Sequence, residues 1–382
     1  MGVSSDNKLV KTVFFDNVAG NGELVEPNIH IWHDQFVVNS MKFDKLIGWE
    51  TPLSPLDWTR IIKLKNGYLS YIQPKLADEE IDDIADHIAD FKSFLDDEEI
   101  PFYFMNVGSK VCKTDNQLSE YEAKFEHTNE NGDALISGLN KRGVSTIDMR
   151  DEMFAAGFDW YKCYYITDHH WTNKTALWAA GRIAEILNEK EGFSFDLTKF
   201  KEESYNFTEY DNILLGGQGR IVTLVNVEPE PFTVIEPKFE TDLTYDLVSE
   251  NRLYSGPYKD SILDEEAFND ILNFKGTDYM YLPDAYHSTH INNYPHHRMI
   301  NNLKSSNPDK KILMLQDSFC WYLTSYLALD VGEVDIIYPT EFEGSIREYI
   351  AKTKPDLVIL SCNQKQINPI EYDNPKSYFY LN

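Results

Sequence analysis

What is scarce in this 382-residue chain narrows its function before any motif is read. Cysteine is scarce: Cys112, Cys163, Cys320 and Cys362 are scattered, with no CxxC and no short-spaced framework. Neither a disulfide scaffold nor a zinc ribbon is expected, and the four thiols read as buried side chains. Positive charge is scarce as well. Against 63 acidic residues stand 35 basic ones, a formal net charge of −28, and no Lys/Arg cluster or stripe interrupts the excess. A surface of that sign repels phosphate backbones, which disfavours nucleic-acid binding and weakens the case for a polyanionic polysaccharide as main partner.

Long apolar runs are missing too. Nothing approaches the roughly 18 residues of a membrane span. The opening MGVSSDNKLVKTVFF lacks the apolar region and small-residue cleavage site of a signal peptide. Taken literally this places the chain in the cytosol, although a polar start after Met-Gly is also what trimming of a leader or anchor leaves. No repeat with a period of roughly 20 to 50 residues and no low-complexity tract is visible.

What is present is core material: 42% hydrophobic and 14% aromatic residues, enough to exclude a disordered chain. The length allows two or three domains, or one large α/β domain with insertions. Residues 1 to 64 are rich in turn formers, as in DNVAGNGELVEPN and WETPLSPLDW, and read as an extension packed on the body. Then an αβ grammar begins. Ile81, Ile84, Ile88 and Phe91 fall at helical spacing before the strand FYFMNV, with His87 a surface or boundary residue of that helix. A helix ending on a glycine leads into VSTIDM. The segment YKCYYI reads as a further strand, followed by a helix with the stripe Ala176, Ala180, Ile183, Ala184 and Leu187, capped by Thr172 or Asn173. From about 195 to 300 short strands and polar loops suggest an insertion, after which ILML, VDIIY and LVIL resume the alternation. Strand alternating with helix predicts an α/β fold with a mostly parallel sheet covered on both faces.

Two polar clusters interrupt this pattern. One is Asp168, His169, His170 and Trp171 in YYITDHHWTNKT; the other is Asp317 and Ser318 at the end of ILML. A serine becomes nucleophilic when a base takes its proton, and the base works best when a carboxylate fixes its tautomer. Ser318, His170 and Asp168 supply those three groups, and the two-residue spacing lets Asp168 and His170 turn to one side of a loop while His169 turns away to a structural hydrogen bond. Oxyanion or substrate contacts are expected from a helix N-terminus after Ser318, from Gly217, Gly219 and Arg220 in LLGGQGR, and from Asn363. Taken singly, each feature has a plainer reading: a helix cap for Ser318, a polar turn for DHH, a positive-φ turn for the glycines, a loop cap for Asn363. Their co-occurrence shifts the balance. A metal set drawn from Asp168, His169, His170, His287, His290, His296 and His297 competes, although no HxxxH helix is recognisable.

YYITDHHWTNKTALWAA followed by KKILMLQDSFCWYL resembles the DHHW proteins and the alginate O-acetyltransferases of the SGNH hydrolase-like superfamily, over residues 65 to 382 with the insertion at about 195 to 300. The resemblance implies a three-layer α/β/α sandwich, an extracytoplasmic location, and transfer or removal of O-acetyl groups on a glycan. It matches Ser318 to the nucleophile, His170 to the base, Asp168 to its partner and Trp171 to packing behind the loop, with no cofactor and no metal. A glycan acceptor and an acyl donor are the implied partners, together with other proteins of cell-envelope biosynthesis. Two positions depart from the pattern: Gln316 stands where a glycine usually precedes Asp-Ser, and Thr340 where relatives often carry an arginine. The alternatives are a non-catalytic glycan-binding or envelope scaffold protein and a metal-dependent hydrolase.

Overall fold

A computed structural model describes residues 61–273, 284–291, 294–371 and 377–382. The expected N-terminal extension therefore lies outside the described residues except for its last four. The chain enters through a hairpin, β1 (Ile61–Lys63) and β2 (Leu69–Tyr71). Helix α1 (Asp78–Asp97) leads to β3 (Phe102–Gly108), α2 (Thr128–Lys141) to β4 (Ser145–Asp148), and α3 (Met149–Ala155) and α4 (Asn173–Lys190) follow. The antiparallel pair β5 (Tyr205–Leu214) and β6 (Glu230–Pro237) flanks the short helix α5 (Gly217–Val222). Next come β7 (Leu243–Leu247), β8 (Arg252–Gly256), the short helices α6 (Tyr258–Ser261), α7 (Glu265–Leu272) and α8 (Ala285–Ser288), and β9 (His296–Asn301). Strand β10 (Asn307–Leu315), α9 (Trp321–Leu327), β11 (Val331–Ile337), α10 (Ile346–Thr353) and β12 (Leu357–Asn363) restore αβ order.

One eight-stranded sheet organises these elements in the order β4-β3-β12-β10-β11-β9-β7-β8. The first five strands are parallel neighbours; β9, β7 and β8 continue the sheet antiparallel, so the segment from about 195 to 300 lengthens its far edge. Alternate residues of each central strand enter opposite cores, as the two-residue period of a strand requires. Ile312 and Met314 of β10, with Leu357 and Ile359 of β12, face the core shared with α3, α4 and α9. Leu313, Leu315, Val358 and Leu360 face the core shared with α1, α2 and α10. The chain is thus an α/β protein whose sheet is covered by helices on both faces, which explains why its central strands are continuous apolar runs.

Helix α4 follows its sequence pattern. Thr172 accepts from the Thr175 N–H at its start, and Ala176, Ala180, Ile183, Ala184 and Leu187 are fully buried. At roughly 1.5–3 kcal/mol for each large apolar side chain, this stripe anchors the segment just ahead of it. That segment is not the strand expected from YKCYYI. Residues Trp160–Cys163 form a 3₁₀ turn, and Tyr164 makes only an isolated bridge to Trp171. Local bonds hold the backbone, with Thr172 N–H to Cys163 O at 2.8 Å and Tyr165 N–H to His170 O at 3.2 Å, so the DHH corner closes on itself without joining the sheet. All four cysteines are free and buried. Among the described residues no helix is long and apolar enough to cross a membrane.

Candidate active site

The carboxyl ends of β3, β10 and β12 meet where strand order changes direction: the chain leaves β3 toward β4 and leaves β10 toward β11, with β12 filling the gap. Such a reversal opens a crevice in α/β sheets. Strand β10 delivers Asp317 and Ser318 to it. Asp317 Oδ1 accepts the Phe319 N–H at 3.0 Å, and Oδ2 accepts both the N–H and the Nδ2 of Asn363, at 2.8 and 2.6 Å. This clamp starts the 3₁₀ turn Ser318–Cys320 and leaves the Ser318 side chain partly exposed. Burial pushes the Asp317 carboxyl upward, against the pull of these bonds.

The DHH corner faces that serine. His170 Nε2 lies 2.7 Å from Ser318 Oγ, and His170 Nδ1 lies 2.5 Å from Asp168 Oδ1. Asp168 and His170 are fully buried. Oδ1 of Asp168 also accepts the His170 N–H at 2.9 Å, and Oδ2 accepts the Gly217 N–H at 2.9 Å. Burial opposes ionisation of Asp168, but the two histidines and these bonds hold its carboxyl well below the usual range. The Tyr286 ring stacks on His170 with centroids 4.0 Å apart, and its hydroxyl donates to Ser318 O at 3.0 Å. Trp171, fully buried, donates from Nε1 to Phe319 O at 2.7 Å and so ties the corner to the serine turn.

Residues 69–252 match the family model for an SGNH hydrolase-like domain, acetyltransferase AlgX. Over that segment the chain is similar to an SGNH hydrolase-like domain. The resemblance to this family expected from the motifs is borne out. PatB1 of Bacillus cereus, solved with a sulfonyl adduct, is similar at a TM-score of 0.64 and 19% identity over 84% of this chain and 97% of that one. A DHHW family protein from Eubacterium siraeum is similar at a TM-score of 0.59 and 14% identity over 85% and 96%. At such identities the two structures speak to fold alone. Comparison with the curated proteins gave no match.

Several contacts expected of this site take a different place. The Gly217 N–H holds Asp168, and the Gly219 N–H donates to Thr167 O at 2.7 Å, so neither is aimed at an oxyanion. Arg220 sits on the Asp168 side of the corner, where burial lowers its pKa against the attraction of Asp284 and Asp168. Asn363 clamps Asp317, and the Phe319 and Cys320 N–H groups also turn to Asp317, so the expected helix N-terminus is occupied by its own cap. The glycines are required for close approach instead. A Cβ on Gly216 would fall 2.2 Å from Asp168 Cβ, and one on Gly219 2.8 Å from Thr167 Cβ. Gln316 needs no glycine-like backbone: its φ is not positive, and its N–H continues the sheet to Ile337 O at 3.0 Å. Thr340 lies in the turn after β11.

His169 differs from its expected role. Among the described residues its Nδ1 is buried without a hydrogen-bond partner, 3.6 Å from Asp168 Oδ1, and burial holds its imidazole well below the usual histidine range. The competing metal set disperses. His287 pairs with Asp284, His290 lies against Tyr258, His296 against Asp335, and His297 against Tyr294 O. Asp168, His169 and His170 do place ligand atoms within 4.8 Å of one another. Both nitrogens of His170, however, already face Asp168 and Ser318, an arrangement suited to moving a proton.

A cavity of about 390 Å³ adjoins this centre, lined among others by Phe319, His169, Asn363, Tyr71, Gln73 and Lys365. Sequence reasoning missed Tyr286, Gln73, Lys110 and Glu230, whose carboxylate accepts the N–H groups of Ile166 and Thr167 at 2.7 and 2.5 Å. All four come from distant segments, and Asp317 was named without its clamp on Asn363.

Proposed function

We propose that the protein is a serine-dependent carbohydrate O-acetyltransferase or O-acetylesterase that works through an acyl-enzyme on Ser318. One observation carries the reading: the continuous relay from Ser318 Oγ to His170 Nε2 and from His170 Nδ1 to Asp168, at 2.7 and 2.5 Å. Ser318 attacks the acetyl carbonyl of the donor as His170 takes the hydroxyl proton. Asp168, ionised, stabilises the imidazolium, and the stacked Tyr286 ring keeps it in plane. The tetrahedral oxygen is met by the N–H of Ser318 itself, a backbone donor at the turn that is not committed to Asp317. Collapse expels the donor's leaving group with the proton from His170. A sugar hydroxyl, or water in the esterase direction, then gives its proton to His170 and attacks the acetyl-serine; the second collapse breaks the serine ester bond as His170 returns the proton to Ser318 Oγ. Kinship with SGNH hydrolase-like acetyltransferases supports the acyl chemistry. The same kinship supports a location outside the cytoplasm and a glycan and an acyl donor as substrates.

The deciding experiment is p-nitrophenyl acetate turnover by wild type and Ser318→Ala, with intact mass spectrometry of the quenched reaction. An acetyl adduct on wild type, absent from Ser318→Ala along with about 10³-fold or more of the rate, is the expected result. Equal turnover by both proteins would sink the acyl-enzyme.

A further inference from the structure

The cavity beside Ser318 holds a set of polar atoms that the relay does not use. Gln73, Ser109, Gln218 and His169 all line it, and each carries a buried polar atom with no hydrogen-bond partner among the described residues: Gln73 Oε1, Ser109 Oγ, Gln218 Nε2 and His169 Nδ1. Gln73 is 6% exposed and Gln218 is fully buried. Buried polar groups are nearly always satisfied, and leaving one unpaired costs about 1–3 kcal/mol, so four around one cavity is a strong signal.

Neighbouring bonds fix which atom each amide leaves over. Gln73 Nε2 donates to Ile367 O at 2.6 Å, which leaves Oε1, an acceptor. Gln218 Oε1 accepts from Lys110 Nζ at 2.8 Å, which leaves Nε2, a donor. Lys110, itself buried, also donates to Ile166 O at 3.0 Å and so cannot turn away without loosening the DHH loop. Ser109 supplies a hydroxyl able to do either, and His169 is a neutral imidazole. The charges on the lining, Lys365 and Glu371, are of opposite sign beyond that lysine. Lys365 Nζ covers the Tyr71 ring at 4.0 Å, and the edge of His169 meets the same ring with centroids 5.8 Å apart.

From this mixture we infer that the cavity is the acceptor subsite, and that it takes an uncharged, hydroxyl-rich sugar unit, not a uronate. Hydroxyls donate and accept at once, which is what an interleaved set of one fixed acceptor, one fixed donor and two adaptable groups matches. A carboxylate would find only donors useful and would leave Gln73 Oε1 facing like charge. The volume suits one or two sugar units. This inference rests on the acetyl-transfer reading for the word acceptor, but not for the binding itself.

Binding is therefore measured apart from turnover, on Ser318→Ala protein, by saturation-transfer NMR and calorimetry with maltopentaose and a chitooligosaccharide as neutral probes and an oligouronate as the charged one. The expected result is binding of a neutral probe, weakened tenfold or more in Gln73→Leu and by a smaller factor in Ser109→Ala. Melting curves of both variants confirm folding, and Ser109→Ala serves if Gln73→Leu does not fold. Affinity unchanged in the folded variants would overturn the subsite. So would preference for the uronate, or absence of binding by every sugar from a protein whose wild type turns over p-nitrophenyl acetate. Neutral-sugar binding lost in the variants, with no serine turnover in wild type, would uphold the subsite and remove the acetyl-transfer reading.

Discussion

Among the described residues, two histidine–carboxylate pairs join a buried imidazole to a buried carboxylate, and only one has the makings of a reactive centre. His170 and Asp168 meet at 2.5 Å in a loop at the carboxyl end of the sheet; His296 and Asp335 meet at 3.0 Å across the strands β9 and β11. Both carboxylates are buried. In the second pair the other carboxylate oxygen accepts the Tyr349 hydroxyl at 2.6 Å, with Lys311 Nζ 3.7 Å away, and the imidazole is boxed by Phe342 and Tyr349. In the first, the far nitrogen of the ring faces the hydroxyl of the partly exposed Ser318, whose neighbour Phe319 lines a cavity. Pairing alone is therefore not the mark of a site. What separates the two is whether the second ring nitrogen meets a nucleophile that substrate can reach.

The sharpest test of that contrast is His170→Ala, which should lower esterase turnover by about 10³–10⁴-fold with the melting temperature little changed, read by steady-state kinetics and thermal denaturation. Loss of activity of that size from His296→Ala instead would reverse the assignment of the two pairs. Next in size is Gly216→Ala. The new methyl would collide with Asp168, so the corner must shift, lowering turnover by about 10²-fold and stability by about 1–3 kcal/mol. His296→Ala is expected to cost about 1–3 kcal/mol in denaturant unfolding, since it leaves the Asp335 carboxylate short of a partner, while turnover stays within about twofold.

The smallest effect concerns a carboxyl outside both pairs. Glu126, beside Thr128 on the cavity wall, accepts the Thr128 N–H at 2.9 Å, and burial pushes its pKa from 4.5 up to about 7. Between those two values the folded protein keeps a proton that the unfolded chain has lost. Stability from this group is thus complete below about pH 4.5 and falls as pH rises toward 7. Glu126→Gln should flatten that decline by on the order of 1 kcal/mol, measured as unfolding free energy at pH 5 and pH 8. An equally steep decline in the variant would assign it to other groups.

Much of this was legible in the chain itself. The apolar runs ILML, VDIIY and LVIL became β10, β11 and β12 because a strand buried on both faces has no polar side to show. The stripe of α4 and its Thr172 cap were equally local, as was the suggestion that Asp168, His170 and Ser318 belong together. YKCYYI was misread because aromatic residues mark strands and buried loops alike; its backbone bonds turn back within the corner except at Ile166, whose carbonyl accepts the Leu69 N–H of β2, and no pattern of side chains discloses this. The oxyanion donors were misplaced for a related reason. A glycine or an asparagine announces that backbone will come close, but not to what, and here Gly217 and Asn363 close on Asp168 and Asp317.

Sequence by itself determined the α/β alternation, the acidic excess and the presence of Asp168, His170 and Ser318 in two polar clusters, because those depend on residue type and short-range spacing. Tertiary structure decided the rest. It alone brought His170 across 148 positions to Ser318, laid Tyr286 on the imidazole, and set Gln73 and Gln218 around one cavity with opposite hydrogen-bonding ends left over. The physical reason is that hydrogen bonds act over about 3 Å, so which donor serves which acceptor is settled only when the sheet has fixed where its loops meet.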